Sequence, residues 1–475
     1  MKKITSTPSD AKDEWFENYP YEEIDVGDSA SLERTLTLED IHAFAAVSGD
    51  TNPAHMDPEY ANDTLFHGVI GHGMWGGSLI STVLGTVFPG PGTIYLEQNL
   101  RFSRPVRVGD SLTVTVTCSA KQDDKKAIEL ECTLVNQKNE RVLSGTARVL
   151  APSKKLRIPR IHAPNISVFD PVGEHAHLLN LGANLEAVVC GVVHPCDQES
   201  LQGAMEAHHA GLIKAVLIAP EKKLRALAAQ SNIDISAATV IDVPHSHAAA
   251  DMAAQMAADK KLEALMKGSL HTDELIHAVV MQPGLRTGRR MSHVFRCQVP
   301  MYPKPLYITD AALNIAPTLA EKADIVRNAI DFAHVMGLAE PKVAILAAVE
   351  TVNPSMPSTL DAAALCKMAD RGQIKGGLLD GPLAFDNAIS SHAAQVKHIA
   401  SSVAGQVDIL VAPDIEAGNM MIKQVEILAG ASGAGIVLGA RVPIALTSRS
   451  DTAMARSASA LLVKLVVHHN RQHPA

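Results

Sequence analysis

Gly71-His72-Gly73-Met74-Trp75-Gly76-Gly77-Ser78-Leu79-Ile80-Ser81-Thr82-Val83-Leu84-Gly85-Thr86-Val87-Phe88 is the run on which the first part of the chain is organised. Leu79, Ile80, Val83, Leu84 and Val87 recur at helical period, which predicts a helix from Met74 to Phe88. Gly76, Gly77 and Gly85 weaken such a helix in isolation; they make sense where a sheet wraps closely around it. Pro89-Gly90-Pro91-Gly92 ends it. Alternating strands follow: Ile94, Leu96, Leu100 and Phe102, then Leu112, Val114, Val116 and Cys118 after a Gly109-Asp110 turn. Ile128, Leu130, Cys132 and Leu134 come next, and then Glu140 to Leu150. One apolar helix with successive alternating strands predicts a curled antiparallel sheet packed on a helix, an α+β domain.

Upstream, Thr37-Leu38-Glu39-Asp40 has a hydroxyl cap and first-turn acids, and Ile41, Phe44, Ala45 and Val47 follow at helical spacing. Gly49 stops this helix. Ser48-Gly49-Asp50-Thr51-Asn52-Pro53-Ala54-His55 then sets a carboxylate and an imidazole five positions apart around an Asn-Pro turn. Folded back, Asp50 and His55 reach one water together. The opening N–H groups of the glycine-rich helix stand ready for an anion. This is equipment for adding water across a polarised double bond.

These stretches, with Asp57-Pro58, Gly71-His72-Gly73-Met74, Arg104-Pro105-Val106 and Gly109-Asp110, resemble the MaoC-like hydratases over roughly residues 20–150. The resemblance implies a hot-dog fold and reversible hydration of a trans-2-enoyl-CoA to an (R)-3-hydroxyacyl-CoA. It implies that Asp50 and His55 activate the water, that Gly73 gives its N–H to the thioester oxygen, and that Asn52 belongs to the substrate site. Charge building on that oxygen is met by preorganised N–H donors, each contributing ~3 kcal/mol. His72 reads as a packing residue at the helix entry.

The 475 residues suffice for two or three domains. The balance of 42 basic to 51 acidic residues, net −9, argues against a nucleic-acid partner, and 4% aromatics argues against base-stacking platforms. No apolar run is long enough to cross a bilayer. The opening residues are polar, expected to be mobile, and carry no apolar core of the kind a signal peptide has. Six scattered cysteines without a C-x-x-C pair read as free thiols in a reducing cytoplasm, not a disulfide framework or zinc site. No metal is expected; His208-His209 and His468-His469 read as solvated pairs.

Residues 152–164, rich in proline and basic side chains, read as a linker between a 1–151 domain and a 165–475 domain. Beyond it, continuous apolar runs alternate with helical segments: around Val188, at 215–218, 240–243, 306–309, 343–346, 409–411, 436–438 and 444–446. Such runs predict a parallel sheet covered on both faces, an α/β domain in two lobes with a cleft between them. Polar residues after the strands mark candidate sites: Asp310 and Asn314, Asp380, Asn419, and Thr447-Ser448-Arg449-Ser450-Asp451. Arg286, Arg289 and Arg290 are either phosphate contacts or a solvated basic loop. Cys190 and Cys196 have no paired base and read as structural. Gly430-Ala431-Ser432-Gly433-Ala434-Gly435 precedes a strand, so it lacks the strand-to-helix context of a dinucleotide site.

Residues 165–475 resemble the phosphate acetyltransferase and butyryltransferase family, and Val352-Asn353-Pro354 with Ser358 to Ala363 favours the butyryl-type branch. The resemblance implies acyl exchange between coenzyme A and inorganic phosphate. It implies that Ser448 stabilises developing charge and that Arg449 holds phosphate or the acyl carbonyl. The family's basic aspartate has no clear match here, since Asp451 is nearer to the Ser-Arg pair than expected. Coenzyme A thioesters and phosphate are then substrates, with no tightly bound cofactor, and a cytoplasmic homo-oligomer is expected. The chain reads as a two-activity acyl-CoA enzyme. The alternatives are a hydratase fused to a non-catalytic acyl-CoA-sensing or oligomerisation module, and a first domain that only binds thioesters.

Overall fold

The computed structural model describes residues 3–6, 15–161, 168–447 and 451–473. Two compact units divide the chain, residues 1–168 and 169–475.

The first unit is a six-stranded sheet: β1 (Lys3–Ser6), β3 (Ser29–Thr35), β4 (Ile94–Phe102), β5 (Ser111–Gln122), β6 (Ala127–Val135) and β7 (Arg141–Leu150), in the order β1-β3-β5-β6-β7-β4. All pairs are antiparallel except β1 with β3. Residues 3–6, expected to be mobile, are thus an edge strand. Leu112, Val114, Val116 and Cys118 are almost wholly buried, as their alternation requires.

Helix α1 (Leu38–Ser48) begins in a Thr37/Asp40 capping box and ends at Gly49, whose φ of 75° is left-handed. Two short turns, α2 (Pro53–Met56) and α3 (Pro58–Asn62), are capped by Asn52 and Asp57. Helix α4 (Gly73–Thr86) packs its Leu79, Ile80, Val83 and Leu84 into the core formed by β5, β6 and β7. Each such side chain contributes on the order of 1.5–3 kcal/mol by burial. That outweighs the ~1 kcal/mol each helical glycine loses.

The stretch expected to be a linker is in part folded. β8 (Arg157–Pro159) pairs antiparallel with β2 (Trp15–Glu17). Buried Asn18 clasps this return, donating to the Lys154 carbonyl and accepting from the Leu156 N–H.

The second unit carries one continuous sheet of β9 (Val188–Val193), β10 (Ile213–Ala219), β11 (Thr239–Asp242), β12 (Ala264–Lys267), β13 (Ser292–Gln298), β14 (Leu306–Thr309), β15 (Lys342–Leu346), β16 (Leu378–Leu383), β17 (Ile409–Val411), β18 (Ser432–Leu438) and β19 (Ile444–Ala445). The order is β11-β10-β9-β12-β19-β18-β13-β14-β17-β15-β16. β12, β14 and β17 are buried along their whole length, as strands covered on both faces must be. The sheet is not wholly parallel. β13 pairs antiparallel with both β14 and β18, and β18 with β19. Two parallel groups running in opposite senses therefore meet at a central antiparallel pair. Helices Ile415–Ile427 and Ala453–Gln472 complete the part of this unit used below.

A Cβ at Gly145 on β7 would stand 1.8 Å from the Asn99 carbonyl oxygen of β4. Gly145→Ala is therefore expected to destabilise the first unit by roughly 3 kcal/mol. Calorimetry of the full chain should show one transition shifted down and that of the second unit unchanged.

Candidate active sites

In the first unit, the turn after α1 brings Asp50, His55 and His72 together, with one donor atom from each lying within 4.8 Å of the others. Among the described residues this is the group close enough to hold a metal ion, and it is equally a seat for one water. His55 Nδ1 lies 2.8 Å from the Ile70 carbonyl oxygen. A carbonyl only accepts, so Nδ1 carries the proton and Nε2 keeps its lone pair. By the same logic His72 Nε2–H donates to the Asp50 carbonyl, at 2.9 Å.

His72 is buried, its ring centroid 4.0 Å from that of His55 and 5.0 Å from that of Phe44, and its Nδ1 has no partner. It packs, as expected of a helix-entry residue, and it also holds the Asp50 turn. Asp50 and Asn52 are exposed; Asn52 Oδ1 caps α2 through the Ala54 N–H. α4 opens at Gly73 with no side-chain cap, so its first N–H groups remain available. A cavity of about 330 Å³ is lined by His55 and Gly73 together with Phe66, Phe102, Leu134 and Leu143. Its walls are largely apolar.

In the second unit, a cavity of about 860 Å³ lies where the two parallel groups of strands meet. β12 supplies Lys267, β13 supplies His293 and Phe295, the loop after β14 supplies Ala311 and Ala312, and helix 415–427 supplies Asn419, Lys423 and Glu426. Thr447 and Asp451 also line it. Ser448 and Arg449, between those two, lie outside the described residues.

Asp310 is buried with both carboxylate oxygens engaged: Oδ1 accepts from the Ala312 and Leu313 N–H groups, and Oδ2 from Asn314 at 2.5 Å. Asn314 spends its other N–H on the Met291 carbonyl and accepts from Arg290. Asn419 donates to the Ala311 carbonyl. Asp380 stands apart on the edge strand β16, accepting from the Gly381 N–H. The basic loop is internally engaged: Arg286 donates to the Val280 carbonyl, Arg289 pairs with Asp331, and Arg290 also pairs with Glu321. Burial pushes the Cys190 and Cys196 thiols up, so neither is a ready nucleophile.

Sequence reasoning passed over His293. It lies on β13, 4% exposed, with neither ring nitrogen hydrogen-bonded among the described residues. Burial lowers its pKa to about 4, although the Asp310 carboxylate and the Leu446 carbonyl both favour the protonated ring. Burial also pushes the Glu426 carboxyl up; Lys423, 3.4 Å away, opposes this and Asp451 adds to it.

Two family models match the chain: residues 246–462 match phosphate acetyl/butaryl transferase and residues 23–139 match the MaoC like domain. The chain is 56% identical over 281 residues to a phosphate acetyltransferase of Rhizobium meliloti, covering 59% of this chain and 89% of that one. A solved branched-chain phosphotransacylase from Enterococcus faecalis V583 is 28% identical with a TM-score of 0.52, over 59% of this chain and 99% of that one. The unliganded R-hydratase PhaJ1 from Pseudomonas aeruginosa is 42% identical with a TM-score of 0.32, over 33% of this chain and 99% of that one.

A histidine held near pKa 4 ties stability to pH. Between the ordinary value of about 6.5 and 4, the unfolded chain takes up a proton that the folded chain refuses. The second unit should therefore lose stability as pH falls through that window, and His293→Gln should flatten the slope. Melting temperatures from pH 7 to 4 for both proteins check this.

Proposed function

We propose, from the premise that the chain belongs to the phosphate acetyl/butyryltransferase family and carries a MaoC-like domain, that it has two acyl-CoA activities. The second unit exchanges an acyl group between coenzyme A and inorganic phosphate. The first reversibly hydrates trans-2-enoyl-CoA to (R)-3-hydroxyacyl-CoA. Neither activity calls for a tightly bound cofactor.

The observation that carries the hydratase reading is the grouping of Asp50 with His55 beside the uncapped start of α4, where His55 and Gly73 line a largely apolar cavity. A water held by the Asp50 carboxylate and His55 Nε2 loses a proton to this pair as its oxygen bonds to the β-carbon. The thioester oxygen takes up enolate charge opposite the Gly73 N–H, and a proton from the same pair completes the product at the α-carbon. Such a positioned pair contributes roughly 100- to 10,000-fold.

In the second unit, Ser448 would stabilise the oxyanion of acyl transfer and Arg449 would hold phosphate, a task suited to the forked guanidinium. Asn419 lines the cavity of this unit, and Asp310, itself held by Asn314, braces the Ala311-Ala312 loop that lines it too. Asp380, on the edge strand, is expected to serve at most indirectly. The relative that is 56% identical is named for acetyl transfer, so acetyl-CoA is the first substrate to try despite the butyryl-type signal.

β4 leaves Ile94, Leu96 and Phe102 exposed along a sheet edge, which favours a homo-oligomer. No helix among the described residues is long and apolar enough to cross a membrane, and all six cysteines are free. The reading places the protein in the cytoplasm.

Two assays on one preparation test this. Crotonyl-CoA should lose its enoyl absorbance, and acetyl-CoA should release thiol only when phosphate is present. Asp50→Asn should lower the first rate at least about 100-fold and spare the second. Arg449→Ala should do the reverse. Hydration without phosphate-dependent thiol release would leave the second unit as an acyl-CoA sensor.

A further inference from the structure

We propose that His293 carries the proton in acyl transfer, taking it from the thiol of coenzyme A and returning it to the departing phosphate. This rests on the acyl-transfer reading above and adds the group that performs the proton step.

The imidazole lines the 860 Å³ cavity, yet it is 96% removed from solvent and, beyond an approach to the Leu446 carbonyl, has no hydrogen-bond partner among the described residues. A buried polar side chain without a partner is rare and loses its solvation for nothing in return. A leucine or phenylalanine there would pack without that loss.

The neighbouring strand is shaped to admit the ring. A Cβ at Gly435 on β18 would stand 2.5 Å from His293 Nε2, and one at Gly433 would stand 2.2 Å from the Phe295 ring. Glycine weakens a central strand, so two at these positions record a packing demand. Gly433 and Gly435 of the run 430–435 are thereby explained without a nucleotide.

Asp310 completes the arrangement. Its charge acts on the ring, but both its oxygens are engaged by Ala312, Leu313 and Asn314. It is a fixed counter-charge for an imidazolium, not a competing base. The other charged groups lining the cavity are Lys267, Glu416, Lys423, Glu426 and Asp451.

From acyl phosphate, the thiol proton passes to an imidazole nitrogen as the S–C bond forms. The C–O bond to phosphate breaks, and the imidazolium returns the proton to the departing phosphate oxygen. The reverse reaction moves the same proton from phosphate to thiolate. The ring begins and ends neutral in both directions, as a buried site requires.

The full-length protein with His293→Gln is assayed as acetyl-CoA plus phosphate and as acetyl phosphate plus coenzyme A. Its kcat should fall about 100-fold or more in both directions, with KM for coenzyme A within about threefold of wild type. In His293→Gly, added imidazole should restore rate in proportion to its concentration. A His293→Gln kcat within about threefold of wild type, a loss confined to KM, or a folded His293→Gly that imidazole does not rescue overturns the proposal. Should melting curves show both variants unfolded, wild type decides: kcat should slow in deuterium oxide linearly with deuterium fraction, and an unchanged kcat refutes the step. Wild type lacking phosphate-dependent thiol release would refute the acyl-transfer reading itself before any variant is made.

Discussion

The antiparallel pairing of β13 with β18, in register from Ser292↔Leu438 to Gln298↔Ser432, is the joint on which the second unit depends. Two parallel strand groups running in opposite senses share one sheet only if antiparallel pairs stand between them. The cavity lies at this reversal, lined by β12, β13 and the segments that follow β14 and β19. The Gly435 N–H of β18 also donates to Ser459 on the C-terminal helix, at 3.1 Å. From the same helix Arg456 reaches Thr447, at 3.0 Å. One strand pairing therefore fixes His293, the glycines that admit it, and the helix behind Thr447.

A comparable economy governs the first unit. Gly76 and Gly77 of α4 let the sheet close on it: Cβ atoms there would press on Leu134 and Leu100, at 3.3 and 3.1 Å, whereas one at Gly85 would meet open space. The residue before the helix is His72, whose ring makes no cap and instead donates to the Asp50 carbonyl. The helix start is thus left open to an anion while the neighbouring turn is tied down. Two backbone carbonyls, those of Ile70 and Asp50, set the tautomers of His55 and His72.

The first unit was the more legible. Its strands bury one face and so alternate, α4 is long and periodic, and Thr37, Gly49 and the Asn52-Pro53 turn are local signals that local structure obeys. In the second unit the long apolar runs announced their strands, but β12, β13 and β16 went unread. β12 is four residues long, and β16 contains Gly381-Pro382. β13 reads Ser-His-Val-Phe-Arg-Cys-Gln, in which His293 and Arg296 break both the alternation and the apolar run. The polar residue that hid the strand is the one that faces the cavity. A signal did exist: Gly433 and Gly435, spaced by two on a strand, imply large side chains on the strand beside it. Sequence alone does not say which strand that is, because β13 and β18 are more than 130 positions apart. The edge position of Asp380 and the folding back of residues 157–159 were likewise set by tertiary pairing.

Each unit places a carboxylate near an imidazole, and the two pairs differ in which lone pairs remain. Asp50 is exposed and its carboxylate accepts weakly from the Asn52 N–H, at 3.3 Å, while His55 keeps Nε2 open. Both members of that pair have a lone pair to offer one water. Asp310 is buried and its oxygens are engaged by three N–H groups, so it contributes charge and not basicity. His293 has the reverse condition, with nitrogens unengaged and charge disfavoured by burial. Proximity of the two residue types is therefore a weak guide to chemistry. Hydration needs a base and an acid that solvent can reach. Acyl transfer between a thiol and phosphate gains more from a site that holds a proton briefly and keeps water out, since water would hydrolyse the acyl group.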